Sequence, residues 1–183
     1  MNPIKQVELY PTSEKFWTLC FWRGPFSQWF YSPFEIEGIE YNCAEQYMMA
    51  SKARMFGDFA AADDIMDCIG HETQQSGFIK YPREQQKIGR RVKNFNPAAW
   101  DAVCRDFVLR GNLAKFSQNE DLFDALEMTA NYRLVEASPV DRIWGIGLAE
   151  DNSDAFNPAM WQGTNWLGDI LTETRGLICN ELA

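Results

Sequence analysis

The stretch Asn42 to Phe56, NCAEQYMMASKARMF, restricts the fold of this chain more than any other. It reads as one helix with a charge at each end of a single face. Asn42 followed by Glu45 has the form of a capping box, with Asn in the usual Ser/Thr place, and predicts a helix that begins there. Glu45, Met48, Met49 and Lys52 then fall at i, i+3, i+4 and i+7, along one side. A side that is apolar in the middle and charged at its ends covers a pocket or lines one. At ~1.5 Å of rise per residue the two charged positions stand about 10 Å apart along the axis, too far for a direct ion pair. Protein, water or a substrate must occupy the interval.

Around this helix the chain alternates turn signals with periodic segments. Residues 1–15 are polar and read as a loosely held arm, and residues 16–183 as one domain. The run FWTLCFWRGPFSQW is aromatic and carries a Gly24–Pro25 turn signal. PFEIEGIEY alternates apolar and polar about Glu37–Gly38, which suits a short β-hairpin. Helices are predicted from Asp58 to about Cys68 with Phe59, Ala62, Ile65 and Met66 inward, then after Pro82 from Gln85 to Val92. Another spans Ala98 to Leu109, with Trp100, Val103, Cys104, Phe107 and Val108 as its stripe. Ser117 with Glu120 forms a second capping-box pattern ahead of Leu122, Phe123 and Leu126. RLVEAS (133–138) alternates like a strand, and 145–163 reads as a loop. A last helix from Thr164 or Asn165 carries Leu167, Ile170, Leu171 and Leu177. The expected class is α+β, predominantly α, in a single compact domain with a few short strands.

Composition excludes several functions. A chain of 183 residues with 46% hydrophobic content can build a real core. Its formal net charge of −9 argues against an extended nucleic-acid surface or attachment to anionic membrane, while a local basic cluster still admits a small phosphorylated substrate. Cys20, Cys43, Cys68, Cys104 and Cys179 are odd in number and widely spaced, with no CxxC or Cys/His metal pattern. They read as reduced thiols of a cytoplasmic protein with no metal and no cofactor. The N-terminus has no apolar signal core, and ~18 apolar residues never run together, so the expectation is a soluble, intracellular chain. The oligomeric state is left open.

With His71 the only histidine, in the polar segment GHETQQSG, histidine-based triads have one residue to draw on, and a surface role is the simpler reading. Phosphate-loop and dinucleotide glycine motifs are absent. Chemistry therefore falls to carboxylates, lysine and aromatic rings. Glu45 completes a helix cap, and in the first turn the helix dipole keeps it ionised, which also suits a stabiliser of positive charge. Lys52 is either a solvated lysine or a partly desolvated amine, with a lowered pKa that makes it a better nucleophile or base. Arg90, Arg91 and Lys93 form a basic knot that either complements a helix C-terminus or meets phosphate. Asp141 and Trp144, in SPVDRIWGIG, follow the predicted strand, where functional loop residues often lie. Trp144 either stacks on a base or packs on the core.

The ordered set CFWRGPFSQWF, YSPFEIEGIEYNCAEQYMMASKA, KIGRRVKNF, KFSQNEDLFDAL, LVEASPVDRIWGIG and WQGTNWLGDILTETR resembles the NADAR family over about residues 17–178. The resemblance implies a compact helix-rich α+β domain of YbiA-like type. It also implies hydrolysis of a ribose-to-nitrogen bond, in phosphoribosylamino intermediates of riboflavin synthesis or in ADP-ribose attached to guanine. Position by position it points to Glu45 and Lys52 as site residues, with Asp141, Trp144 and Gly145 in a second segment. Gly163, Asn165, Leu167 and Gly168 match a third. Phe21, Trp22, Arg23 and Ser27 match a fourth that would lie near the ligand. On this reading Glu45 stabilises an oxocarbenium-like state, and Lys52 attacks C1 or binds while Glu45 or Asp141 activates water. Trp22 and Trp144 stack on a base, and Arg23, Arg90 or Lys93 meets phosphate. The implied partner is a small nucleotide or an ADP-ribosylated guanine. The alternative is a module that binds ADP-ribose or a nucleotide without catalysis. Two departures from the family pattern, Gln46 for His and Ile146 for Asp, bear on which substrate is taken.

Overall fold

The structure, a computed structural model, describes residues 9–11, 17–69 and 80–180, so the reading of His71 lies outside the described residues. The chain divides into two compact units, one formed by residues 1–27 and 120–183, the other by residues 28–119. As the periodicity predicted, the architecture is α+β and mostly α.

In the first unit, strand β1 (Leu9–Pro11) pairs antiparallel with β2 (Trp17–Phe21). Part of the expected arm is therefore strand. In the second unit, β3 (Phe34–Ile36) and β4 (Ile39–Tyr41) form the expected hairpin. Glu37 (φ 55°) and Gly38 (φ 75°) both turn left-handed between them, the requirement of a two-residue loop that matches strand twist.

Among the described residues of the second unit there follow α1 (Ala44–Met55), α2 (Phe59–Met66), α3 (Lys80–Gly89), α4 (Pro97–Asp101) and α5 (Cys104–Ser117). Asp58 caps α2 by accepting from the Ala61 amide, and Asn96 caps α4 by accepting from Ala99. Helix α3 begins two residues before Pro82, which the first turn tolerates because its amides need no intrahelical acceptor. The single helix predicted over Ala98–Leu109 is instead α4 and α5, broken where Val103 takes φ −130°. Of the α2 stripe only Ala62 and Ile65 are buried, and Phe59 at the first helical position stays 66% exposed. So short a helix buries only the middle of its stripe.

The chain then returns to the first unit with α6 (Glu120–Glu127), β5 (Tyr132–Glu136) and α7 (Trp166–Asn180). Ser117 does not cap α6, because its hydroxyl donates back to the Leu113 carbonyl and closes α5. Strand β5 lies parallel to β2, completing a sheet of order β1-β2-β5. The predicted loop holds two short 3₁₀ turns, Ser153–Phe156 and Pro158–Met160. Cys20, Val135, Ala137, Ile146, Leu148 and Ala155 form a core in this unit. Leu167, Ile170 and Leu171 of α7 are buried, whereas Leu177 is 42% exposed. Among the described residues no helix is long and apolar enough to cross a membrane.

Candidate active site

Helix α1 is not amphipathic in the expected sense. Every residue from Ala44 to Ala53 is buried, so neighbours surround it. On it Glu45 is 2% exposed, Gln46 1% and Lys52 8%, three polar side chains inside one helix.

The capping pattern is also reassigned. The helix begins one residue later than predicted, with Cys43 at the N-cap and no side-chain cap. Gln46, not Glu45, reaches back: its Oε1 accepts from the Asn42 amide at 2.7 Å, and its Nε2 donates to the Ile65 and Met66 carbonyls. Asn42 in turn donates to the Cys68 carbonyl and accepts from Gln85 Nε2. A one-residue shift of the helix start thus gives the cap's third position to Gln46. The Glu45 amide donates to the Gln28 carbonyl at 3.0 Å.

Seven residues along, the Lys52 ammonium lies 4.1 Å from the centre of the Phe95 ring and 5.8 Å from that of Trp100. Burial holds its pKa below the ordinary lysine value, against the upward pull of Glu45; the charge of Arg90 adds to the lowering. Glu45 thus acts electrostatically on Lys52 along the same helix. Arg90 itself is exposed, and belongs to this group by its effect on Lys52. Lys93 is exposed too, but its amide donates to Asp58 and its charge acts on that carboxylate. The knot of basic residues is thereby split between two tasks.

The other predicted residues lie in the first unit. Asp141 Oδ1 accepts from the amides of Ile143 and Trp144, both at 2.8 Å, bracing the loop that carries them. Trp144 is half-buried, edge-on to Trp166 at 5.7 Å. A Cβ on Gly145 would stand 2.8 Å from the Glu136 carbonyl oxygen, so that glycine is required by close packing. Asn165 is fully buried at φ 58°, accepting from the Glu136 amide and donating to the Leu134 carbonyl, which ties the start of α7 to β5. Phe21 is buried against Phe26, the Arg23 guanidinium sits 5.0 Å over the Trp22 ring, and the Ser27 amide closes a turn on Gly24. Among the described residues no group of three or more His, Cys, Asp or Glu side chains could hold a metal ion.

Three residues of the family-like segments carry no role by sequence pattern alone. Lys115 of α5 is fully buried, Glu136 at the end of β5 is 9% exposed, and Phe95 is the ring over Lys52. A helical reading ended at Leu109 hid Lys115. Phe95 stood in a polar connection without periodicity. The two departures are explained locally: Gln46 is committed to backbone partners, and Ile146 is a fully buried core residue.

The NADAR domain family matches residues 15–179, and the chain belongs to that family. It is 45% identical over 155 residues to N-glycosidase R617 of Acanthamoeba polyphaga mimivirus, covering 82% of this chain and 85% of that protein. With Protein irg-1 of Caenorhabditis elegans it shares 36% identity over 75% of its length, and spans 60% of that relative. The NMR structure of the Escherichia coli protein YbiA superposes with a TM-score of 0.71 at 22% identity, over 99% of this chain and 93% of that one. That likeness confirms the fold.

Proposed function

We propose that this chain is an N-glycoside hydrolase that cleaves the ribose C1–N bond of an ADP-ribosyl or phosphoribosyl nucleobase. The activity class is supported by its similarity to a protein named N-glycosidase R617. The observation that carries the chemistry is the environment of Lys52: a nearly buried amine under an aromatic ring, its pKa lowered by burial, on the same helix as a buried carboxylate. A lysine so placed holds more of the neutral, nucleophilic form at neutral pH than a solvated one.

The steps follow from that. As the C1–N bond lengthens, its electron pair moves to the base, which leaves with a proton, and positive charge grows at C1 and the ring oxygen. Glu45, ionised in the first turn of α1, stabilises that charge. The neutral Lys52 amine bonds to C1 and loses a proton; ring opening gives a Schiff base, and water then adds to release the sugar and restore the amine. Arg90, exposed beside this pair, meets a substrate phosphate. Asp141, with one oxygen given to two loop amides, has a bracing role here rather than that of base.

The test runs phosphoribosylaminouracil, ADP-ribosylated guanosine and ADP-ribosylated DNA in parallel, with base release read by chromatography. Lys52→Ala and Glu45→Gln are each expected to lower turnover at least about a hundredfold with the fold intact, the usual contribution of such groups. Near-normal rates in both overturn the assignment. Borohydride added during turnover is expected to trap sugar on Lys52, and an active enzyme that yields no adduct removes the Schiff base. Thermal stabilisation by these compounds without release of base identifies a binding module instead.

A further inference from the structure

Helix α5 runs antiparallel to α1, and its contacts can be followed residue by residue. The Phe107 ring is 6.5 Å from that of Tyr47, and one turn on a Cβ at Gly111 would touch the same Tyr47 ring. Asn112, also fully buried, directs its Nδ2 to Gln28 Oε1 at 3.5 Å, and Gln28 supplies the carbonyl that receives the Glu45 amide. The next turn brings Lys115, with no exposed surface, to the N-terminal end of α1. There both Lys115 and Glu45 act electrostatically on the same thiol, that of Cys43 at the N-cap.

A buried ammonium costs several kcal/mol unless an anion answers it. The start of α1 makes this worse, because the helix dipole places partial positive charge there. The acid in the first turn of α1 is Glu45. Of the charged groups nearby, Arg110 pairs with Glu37, Arg54 with the Tyr41 hydroxyl and Asp58 with the Lys93 amide, while the Lys115 ammonium lies 4.9 Å from the centre of the Phe116 ring. Lys52 and, through it, Arg90 act from the far end of α1.

We propose that Lys115 is a positioning residue for the reaction, its ammonium holding the Glu45 carboxylate charged and oriented at the first turn of α1. It does not touch the substrate. The role rests on the hydrolase reading, whereas the pairing does not.

Two measurements on the full chain separate those parts. In the first, kcat/KM of Lys115→Met and Lys115→Arg is followed against pH with the substrate that wild type cleaves. Below the step set by Lys52, the lower step of the acid limb, where Glu45 ionises, is expected to move up by at least about one unit in Lys115→Met, a tenfold loss in that range, since removing a nearby opposite charge shifts a carboxyl by about 1–3 units. Lys115→Arg is expected to keep the limb near wild type. A uniform loss of activity with an unmoved limb overturns the proposal. In the second, urea midpoints of Glu45→Gln, Lys115→Met and the double variant are compared, with no turnover required. The double variant is expected to unfold at a higher midpoint than Glu45→Gln, which leaves the ammonium buried without its anion. Additive losses, or a double variant that does not fold, overturn the pairing. Coupled midpoints without cleavage of any substrate leave the pairing standing and reject the hydrolase reading.

Discussion

Glu45 and Lys52 were legible in the sequence as a pair on one helix, but their environment was not. The expected picture had a carboxylate occupied by capping and an amine at the edge of an apolar face. Instead Gln46 takes the cap, and Phe95, from a connection 43 residues further on, lies over the amine. Phe95 acts on Lys52 in two opposing ways. Its ring face favours the ammonium by about 0.5–1 kcal/mol, while its bulk excludes the water that favours it. Burial is the leading influence on Lys52 and drives its pKa down. In Phe95→Ala the pKa is expected to rise toward the ordinary value of about 10.4. Less neutral amine is then present at pH 7–8, and the ascending limb of the pH–rate profile moves to higher pH. The limb of kcat/KM, or the pH dependence of borohydride trapping, checks this; a shift to lower pH rejects the burial argument.

Helix α1 shows how far local pattern carries at the scale of one element. The 3.6-residue period located it within one or two residues, and the left-handed pair Glu37–Gly38 located the hairpin before it. That α1 is surrounded on all sides was hidden, because its composition is half polar. Two glycines on other helices make the enclosure possible. A Cβ on Gly89 would stand 2.1 Å from Met49 Sδ, and one on Gly111 would stand 2.7 Å from the Tyr47 ring. Tyr47 also meets Phe34, Tyr41 and Phe107, so its ring has no room to retreat. Gly111→Ala sets a helix-propensity gain of about 1 kcal/mol against an overpacking cost of about 1–3 kcal/mol. The melting temperature is expected to fall by several degrees, as about 2–4 °C accompanies each kcal/mol in a chain of this size. An unchanged or raised value in a calorimetric scan rejects the tight α1–α5 contact.

At the scale of the whole molecule, charge sets the kind of substrate that is tolerated. A net charge of −9 repels a long polyanion, while the exposed Arg90 offers only a local attraction. For ADP-ribosylated guanine carried on DNA, KM is expected to rise as the oligonucleotide is lengthened, and added salt is expected to narrow that difference by screening the repulsion. A KM that falls with length and weakens with salt points to an extended binding surface instead. The sequence alone determined the class of fold, the hairpin, most of the helices and the family, because turn chemistry, periodicity and an ordered set of motifs are local along the chain. Only the tertiary structure decided that Gln46 reaches back to the Asn42 amide, that Phe95 lies over Lys52, that Lys115 lies buried at the start of α1, and that Asn165 braces β5. Each of these depends on which residues far apart in sequence exclude water from one another, and one-dimensional pattern carries no measure of that.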